Sequence, residues 1–465
     1  MIIKIIFIYL LIPKSLVFNK RYEPDWDSLD TRPIPKWYDQ AKIGIFIHWG
    51  VFSVPSFGNE WFWYFWKNEN ASSYIEFMSR NYPPDFTYQN FAADFTGEFF
   101  NPKEWVKLFV DSGAKYVVLT SKHHEGYTLW PSSHTFGWNS RDIGPGKDLV
   151  GELATAVRAE SNIKFGLYYS MKEWYHPLYL EDKSNDFQTN YFVYNKTLPE
   201  LREITEKYLP DVIWSDGVIE ATEEYWKGPD FLAWLYNDSP VKDTVVVNDR
   251  WSISARCKHG DFITCVDNYK PGELQKKKWE SAITTDKTLA FGYRRESLAT
   301  DYRSIKEILQ ILIETISLGG NLLINVGPTK EGTIIPILQE RLQNIGKWLN
   351  INGEAIYNSS IWIKQNDTIN GDVWYTTRTD LDDKPVYAMF CEWPDDIENK
   401  LLISYTDELF TKHTRITLLG YENVTLKWKN KNGTAVEIIL PANALRSLEW
   451  CWVLKLTLTV TQNEI

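Results

Sequence analysis

Five short apolar runs in this chain end at side chains that can act as acids, bases or hydrogen-bonding groups. They read IGIFIHW at 43–49, KYVVLTSKHH at 115–124, PDVIWSD at 210–216, TVVVNDR at 244–250 and DFITCVD at 261–267. β-Branched residues are common in these runs, which are too short for helices, and both features favour strands buried on both faces. The polar groups at their ends are His48, His123, His124, Asp216, Arg250 and Asp267. Gathered at one place, such groups would form a hydrolytic site.

Helical patterns separate several of these runs, as at 101–110, 148–160, 197–208 and 304–317. Strands that alternate with helices predict an α/β fold, here a TIM-like (β/α) barrel. We predict seven strands, with the last at 321–327, and place an eighth near 289–293. In such barrels the functional side chains lie at the carboxyl ends of the strands. The long aromatic segment 59–100 is predicted to be an irregular functional loop.

Aromatic residues make up 15% of the chain, and some stand beside polar groups, as in GNEWFWY at 58–64. Flat aromatic faces next to hydrogen-bonding groups suit a ligand that is apolar on one side and hydroxylated on the other. A sugar has this character. We therefore expect Glu60 and Trp61 to reach a sugar from the long aromatic segment.

Asp216 is the first candidate for a reacting carboxylate. The period of a strand puts Val212, Trp214 and Asp216 on one face, and Gly217 lets the chain turn away after it. An aspartate that caps the next helix is the alternative.

Hydrolysis of a glycosidic bond requires a second carboxyl group, which protonates the leaving oxygen. Asp267 stands at a predicted strand end, and Glu280 lies further along what reads as the same loop. We favour Asp267 because its strand would point it inward, and we keep Glu280 as the alternative. A salt bridge to a neighbouring lysine, Arg294 or Arg295 would also explain Glu280.

Three of the seven histidines stand at predicted strand ends, where they would bind sugar hydroxyls or a metal ion. Tandem residues on a strand point in opposite directions, so His123 and His124 are poorly placed to share one ion. We predict neither a metal nor a cofactor; buried histidines with structural hydrogen bonds are the other alternative. The residues predicted to contact substrate are His48, Glu60, Trp61, His123, His124, Tyr168, Trp214 and Arg250.

The chain has 465 residues, enough for a barrel and a second domain. Near residue 357 the pattern changes to short strand-like segments separated by turns, at 373–377, 386–390, 401–405, 414–418, 424–428 and 454–460. This predicts a β-sandwich. The proposed organisation is a signal peptide at 1–19, a catalytic barrel at 20–355 and a β-sandwich at 356–465.

Charge and sequence signals indicate the setting in which the protein works. A net charge of −11 disfavours nucleic acid as a partner. A lysine before a short apolar run at 5–12 is typical of a signal peptide and too short to span a bilayer. Seven N-x-S/T sequons, at Asn70, Asn195, Asn237, Asn358, Asn366, Asn423 and Asn432, support secretion. Four cysteines allow up to two disulfides, and Cys257 with Cys265 would close a short loop.

The chain resembles the α-L-fucosidases of glycoside hydrolase family 29. Six stretches carry the resemblance: GIFIHWG at 44–50, KHHEGYTLWPS at 122–132, VIWSDG at 212–217, VNDRW at 247–251, KWE at 278–280 with GYRR at 292–295, and NLLINVGP at 321–328. They occur in order through nearly the whole predicted barrel, which makes the resemblance specific.

The resemblance implies a retaining exo-hydrolase that releases terminal α-L-fucose from glycans, with Asp216 as nucleophile. The predicted signal peptide gives such a protein a secreted or lysosomal destination. It also implies that His48, Glu60, Trp61, His123, His124, Tyr168 and Arg250 match fucose-contacting positions. Asp267 and Glu280 both lie in family-like stretches, so the acid/base stays open between them. A secreted fucose-binding lectin without catalysis and a metallohydrolase are the competing hypotheses. The sequence leaves a homo-oligomer open.

Overall fold

The computed structural model describes residues 21–394, 398–442 and 449–458. Its central element is a parallel sheet of seven strands whose spatial order is β5-β4-β3-β2-β1-β7-β6. The strands are β1 Ile43–Ile47, β2 Tyr116–Lys122, β3 Lys164–Ser170, β4 Val212–Asp216, β5 Val246–Val247, β6 Trp279–Thr284 and β7 Gly320–Val326. The TIM-like barrel predicted from the alternating pattern is confirmed. The predicted signal peptide lies outside the described residues.

An irregular segment at 261–264 closes the barrel between β5 and β6. The amide of Asp261 donates to the carbonyl of Val247 at 3.1 Å, and the amide of Ile263 donates to that of Lys278 at 2.9 Å. The predicted strand at 261–267 is therefore reduced to one β-bridge, between Ile263 and Trp279. Counted around the barrel from β1, this segment takes the sixth of eight strand positions.

The remaining barrel strand is β6, seventh in order around the ring, and not the predicted 289–293, which form no strand. The sequence WESAIT of β6 was expected in a loop over the mouth of the barrel, and that expectation is wrong. All six residues of β6 are buried, and their strand pairs in parallel with β7. The polar residues Glu, Ser and Thr in this segment hide the apolar pattern by which a buried strand is normally identified. The apolar surroundings of β6 come instead from the elements packed around it.

A compact apolar cluster fills the barrel interior. Its fully buried members come from alternate strand positions, as the period of a strand requires: Phe46, Tyr116, Val118, Tyr168, Val212, Trp214, Val246, Ala282 and Leu323. Tyr38, on the helix Lys36–Ala41, joins the same cluster. The predicted shared face of Val212 and Trp214 is confirmed, and Asp216 continues it at the open end.

The helices of the chain include those that pack outside the barrel. The α-helices are Trp26–Leu29, Lys36–Ala41, Phe62–Lys67, Ser72–Asn81, Pro102–Asp111, Leu149–Glu160, Pro177–Ser184, Leu198–Tyr208, Glu223–Trp226, Gly228–Asn237, Ile305–Ser317 and Pro336–Asn352. The shorter 3₁₀ and π turns are Val51–Ser53, Tyr88–Asp94, Val193–Thr197, Ala299–Asp301 and Gly353–Ala355.

Two helix starts show how the sequence sets these boundaries. The side chain of Asn101 accepts from the amides of Lys103 and Glu104, with Pro102 at the first position of the helix. Ser304 and Glu307 form a reciprocal capping box. The predicted irregular loop at 59–100 instead contains two α-helices and a 3₁₀ turn, because its aromatic residues pack against one another.

The C-terminal part consists of two antiparallel sheets, which confirms the predicted sandwich class. One sheet has the order β12-β15-β10-β9-β8 and the other β11-β14-β13. The strands are β8 Ser360–Asn366, β9 Trp374–Thr377, β10 Val386–Phe390, β11 Lys400–Ser404, β12 Thr414–Leu418, β13 Trp428–Lys431, β14 Ala435–Ile439 and β15 Trp452–Leu458. The prediction missed β8 and β14 and placed β13 too early, at 424–428.

All four cysteines are paired in the structure. Cys257 bonds Cys265 within one loop of the barrel, and Cys391 bonds Cys451 between β10 and β15 of the sandwich. Within the described ranges, none of the helices combines the length and apolar composition that a bilayer crossing requires.

Candidate active site

A cavity of about 140 Å³ opens at the carboxyl ends of the barrel strands. Ten of the eleven side chains proposed from the sequence line it: His48, Glu60, Trp61, His123, His124, Tyr168, Trp214, Asp216, Arg250 and Asp267. They come from strand ends or the loops that follow, as expected for parallel strands that share one edge. Glu280 is the exception.

Asp216 ends β4 and presents a carboxylate held from several sides. Its Oδ2 accepts from the hydroxyl of Tyr168 at 3.0 Å, and its Oδ1 accepts from Nη1 of Arg250 at 3.1 Å. Nε2 of His124 lies 3.6 Å from Oδ2. Burial alone would raise the pKa of Asp216, but attraction to the guanidinium of Arg250 outweighs it and holds that pKa well below its ordinary value. The carboxyl group is therefore ionised where it faces the cavity.

Arg250 links the two aspartates of the cavity. Its Nη1 donates to Asp216 at 3.1 Å and its Nη2 donates to Asp267 at 2.7 Å, while Nε donates to Oγ1 of Thr264 at 3.1 Å. The guanidinium carbon also lies 4.6 Å from the ring centre of Trp214. With every nitrogen engaged, the fork fixes both carboxylates beside the same cavity.

His48 is a buried, neutral imidazole whose orientation is set by Asn325. Its Nδ1 lies 2.7 Å from Oδ1 of Asn325, whose own amide nitrogen donates to the carbonyl of Phe291. The amide oxygen must then accept, so Nδ1 of His48 carries the proton and Nε2 is left as an acceptor. Burial, followed by the nearby His123, lowers the pKa of His48 to about 3.

The tandem histidines after β2 also have separate supports. Nδ1 of His124 lies 2.6 Å from the hydroxyl of Ser170, and that hydroxyl donates to the carbonyl of Lys172. Nδ1 of His123 lies 3.1 Å from a carboxylate oxygen of Glu125. Burial lowers the pKa of His124 well below its ordinary value, so this ring is neutral. The two imidazole rings are therefore held in place, and each can form a hydrogen bond with one of two adjacent hydroxyl groups of a ligand.

Glu60 reaches the cavity from the aromatic segment, as expected. Its Oε2 accepts from the backbone amides of Phe291 at 2.9 Å and Gly292 at 3.0 Å, and burial raises its pKa. Trp61 packs edge-on against His124 and Trp174, with centroid distances of 5.2 Å to each. The segment thus supplies one polar wall and one aromatic wall.

Glu280 lies inside the barrel near the amino end of β6, away from the cavity. Its Oε2 accepts from the hydroxyls of Tyr38 at 2.7 Å and Tyr116 at 2.5 Å, and its Oε1 accepts from Nε1 of Trp214 at 2.9 Å. Burial raises its pKa. It pairs with none of the basic side chains considered from the sequence, and the full set of hydrogen bonds indicates a structural carboxyl group.

Five further side chains line the cavity without having been proposed: Phe46, Lys172, Ile219, Arg256 and Phe291. Phe46 shares the face of His48 two residues later, so strand period could have found it. The other four follow strand ends in loops, where position depends on tertiary folding.

Similar proteins of known structure have the same architecture. Thermotoga maritima α-fucosidase in complex with fucose matches with a TM-score of 0.78 and 34% identity, covering 94% of this chain and 100% of that one. The same enzyme in complex with a mechanism-based inhibitor gives a TM-score of 0.79.

The fold and the site together define a glycoside hydrolase built on a (β/α) barrel. The Alpha-L-fucosidase family model matches residues 10–354, and the Alpha-L-fucosidase C-terminal domain model matches residues 365–457. The chain belongs to the α-L-fucosidase family. It is 51% identical over 445 residues to an α-L-fucosidase of Branchiostoma floridae, covering 95% of this chain and 97% of that protein. It is 50% identical to human plasma α-L-fucosidase over 94% of this chain and 92% of that one.

Proposed function

We propose that the chain is a retaining exo-hydrolase that releases terminal α-L-fucose from glycoproteins, glycolipids or oligosaccharides by double displacement. The observation that carries this proposal is the shared Arg250, which joins Asp216 and Asp267 beside one small cavity. A retaining mechanism needs two carboxyl groups about 5–5.5 Å apart, one as nucleophile and one as acid/base. The small cavity fits a single terminal sugar.

In the first step Asp216 attacks the anomeric carbon of fucose. The bond from that carbon to the leaving oxygen breaks while Asp267 donates its proton to this oxygen. The product is a fucosyl ester of Asp216. Tyr168 and Arg250 hold the attacking carboxylate by their hydrogen bonds, and its lowered pKa keeps it ionised.

In the second step Asp267, now a carboxylate, takes a proton from water. The water oxygen attacks the anomeric carbon and the ester bond to Asp216 breaks, which restores both carboxyl groups. Asp267 suits this exchange because 53% of its side chain is exposed, so water and the leaving group both reach it. Glu280 is not assigned this role because it is buried beneath Trp214.

The remaining groups bind the sugar. The neutral rings of His48 and His124, together with His123 and Glu60, offer hydrogen bonds to hydroxyls, and Trp61 offers an aromatic face. Phe46 and Phe291 supply apolar surface suited to the methyl group of fucose. All belong to the proposed barrel domain at 20–355, whereas the sandwich at 356–465 contributes none of these groups.

We also propose entry into the secretory pathway, with a lysosomal or extracellular destination. The sequons and the predicted signal peptide support it, and the relatives include proteins named plasma and tissue α-L-fucosidase. Expression in cultured cells, followed by glycosidase digestion of the secreted and lysosomal fractions, tests this part.

The decisive test of the reaction uses 4-nitrophenyl α-L-fucoside. Proton NMR should show α-L-fucose as the first sugar product, before it equilibrates in water. Asp216→Asn should fold normally and lose on the order of 10⁴-fold in kcat. β-L-Fucose as the first product would overturn the retaining mechanism, and substantial turnover by this variant would overturn the role of Asp216.

A further inference from the structure

Arg256 is a cation at the cavity with no carboxylate partner among the residues that the structure describes. Of the cations lining the cavity, Arg250 pairs with Asp216 and Asp267, and Nζ of Lys172 lies 3.1 Å from Glu220. Arg256 also lines the cavity, but within the described ranges it forms no ion pair. Its hydrogen bond to the carbonyl of Cys265 uses Nε alone.

The loop that carries Arg256 is tethered at the cavity edge. Nε of Arg256 donates to the carbonyl of Cys265, and the adjacent Cys257 is bonded to the same Cys265. Cys265 stands two residues before Asp267. The guanidinium is thereby held near the proposed acid/base, with its two terminal nitrogens available to a ligand.

Exposure places this end of the cavity on the side of the leaving group. The side chain of Asp267 is 53% exposed and that of Asp216 is 23% exposed, whereas His48, His123 and Tyr168 are buried. The buried groups surround the terminal sugar, so the leaving group must extend outward past Asp267. Arg256 is half-buried at this exit.

A neighbouring apolar surface fits the same interpretation. Ile219 lines the cavity and is 50% exposed, although isoleucine is among the residues most often fully buried. A leaving sugar has an apolar ring face that can cover it. Ile219 would then hold the ring while Arg256 meets a polar substituent on it.

We propose that Arg256 selects substrates whose leaving group has an anionic substituent, a sulfate ester or a carboxylate. The inference rests on the proposed function, since it assigns the leaving-group side of that same site. A planar guanidinium can bind either oxyanion with two hydrogen bonds.

The test compares two substrates that differ by one charge: 4-nitrophenyl α-L-fucoside and 3-carboxy-4-nitrophenyl α-L-fucoside. The readout is the ratio of their kcat/KM values, carboxylated over neutral. Arg256→Gln should lower this ratio roughly fivefold, and Arg256→Lys should restore part of it. Lys258→Gln is the matched control, because Lys258 is exposed on the same loop and does not line the cavity. Its ratio should equal that of wild type.

The outcomes separate this proposal from the proposed function. If wild type hydrolyses both fucosides and Arg256→Gln keeps the wild-type ratio, the Arg256 proposal alone fails. An equal fall in Lys258→Gln would also overturn it, since net charge rather than a local contact would then explain the effect. If wild type hydrolyses neither fucoside, the proposed function fails and this inference with it.

Discussion

Trp214 separates Glu280 from the cavity: its ring lines the cavity, and its Nε1 donates to Oε1 of Glu280 at 2.9 Å. Glu280 also holds the hydroxyls of Tyr38 and Tyr116. One carboxyl group thus anchors an aromatic residue of the site and two tyrosines of the barrel interior. A group so placed supports the wall of the cavity from beneath it.

The first prediction concerns Glu280. Glu280→Gln keeps an acceptor for Trp214 and should retain much of the wild-type kcat, with no rescue by azide. Glu280→Ala leaves the buried donors of Tyr38, Tyr116 and Trp214 without their acceptor. It should lower the free energy of unfolding by roughly 1–3 kcal/mol for each group left unpaired. Steady-state kinetics and thermal unfolding check the two effects. Azide rescue of either variant would instead identify Glu280 as the acid/base.

The second prediction concerns Asp267. Asp267→Ala removes the proposed proton donor, so rates should fall about 10²–10⁴-fold for a sugar leaving group. The loss should be much smaller for 4-nitrophenyl fucoside, whose first step needs little protonation. Azide needs no general base and should restore turnover by forming α-fucosyl azide. Equal losses on both substrates, with no azide product, would contradict the assignment.

The third prediction concerns acid stability and His48. Its pKa in the folded protein is about 3, lowered by burial and then by His123, against about 6.5 in the unfolded chain. Below pH 6.5 the histidine is protonated in the unfolded chain but stays neutral in the folded protein. Protonation therefore stabilises the unfolded chain, and the free energy of unfolding falls as the pH drops from 6.5 towards 3. At pH 5 this linkage costs about 2 kcal/mol.

His48→Gln should therefore show a smaller drop in Tm between pH 7 and pH 5 than wild type. Exposed His134 offers the matched control, since His134→Gln removes a histidine outside the buried site. Differential scanning calorimetry at both pH values gives the comparison. A drop in His48→Gln as large as that of wild type would refute the linkage.

The fourth prediction compares the two disulfides. The bond between Cys391 and Cys451 spans 60 residues, and that between Cys257 and Cys265 spans 8. Chain-entropy arguments assign about 4 kcal/mol to the long loop and about 2.5 kcal/mol to the short one. Serine substitution of the long pair should lower Tm more. The short pair should instead alter activity, because its loop carries Arg256; the reverse pattern would contradict this division.

Much of the site could be predicted from local sequence. Strand periodicity, the polar ends of apolar runs and the aromatic segment at 59–100 led to ten side chains that line one cavity, including Asp216 and Arg250. The carboxyl ends of parallel barrel strands all lie at one face of the barrel. A residue that directly follows an apolar run is therefore placed at that face. The same reasoning could not find Arg256 or Ile219, because loops lack the regular alternation of apolar and polar residues that identifies the faces of a strand.

The sequence by itself determined the barrel and sandwich classes, most of the barrel strands and the kinds of group that follow them, because apolar patterning acts over a few residues. Only the tertiary structure decided between Asp267 and Glu280 as neighbours of Asp216. Glu280 pairs with Asn321 in β7, four residues below Asn325, the partner of His48. That register places the backbone of Glu280 roughly 13 Å of strand below the level of Asn325. Register depends on contacts between segments far apart in the chain.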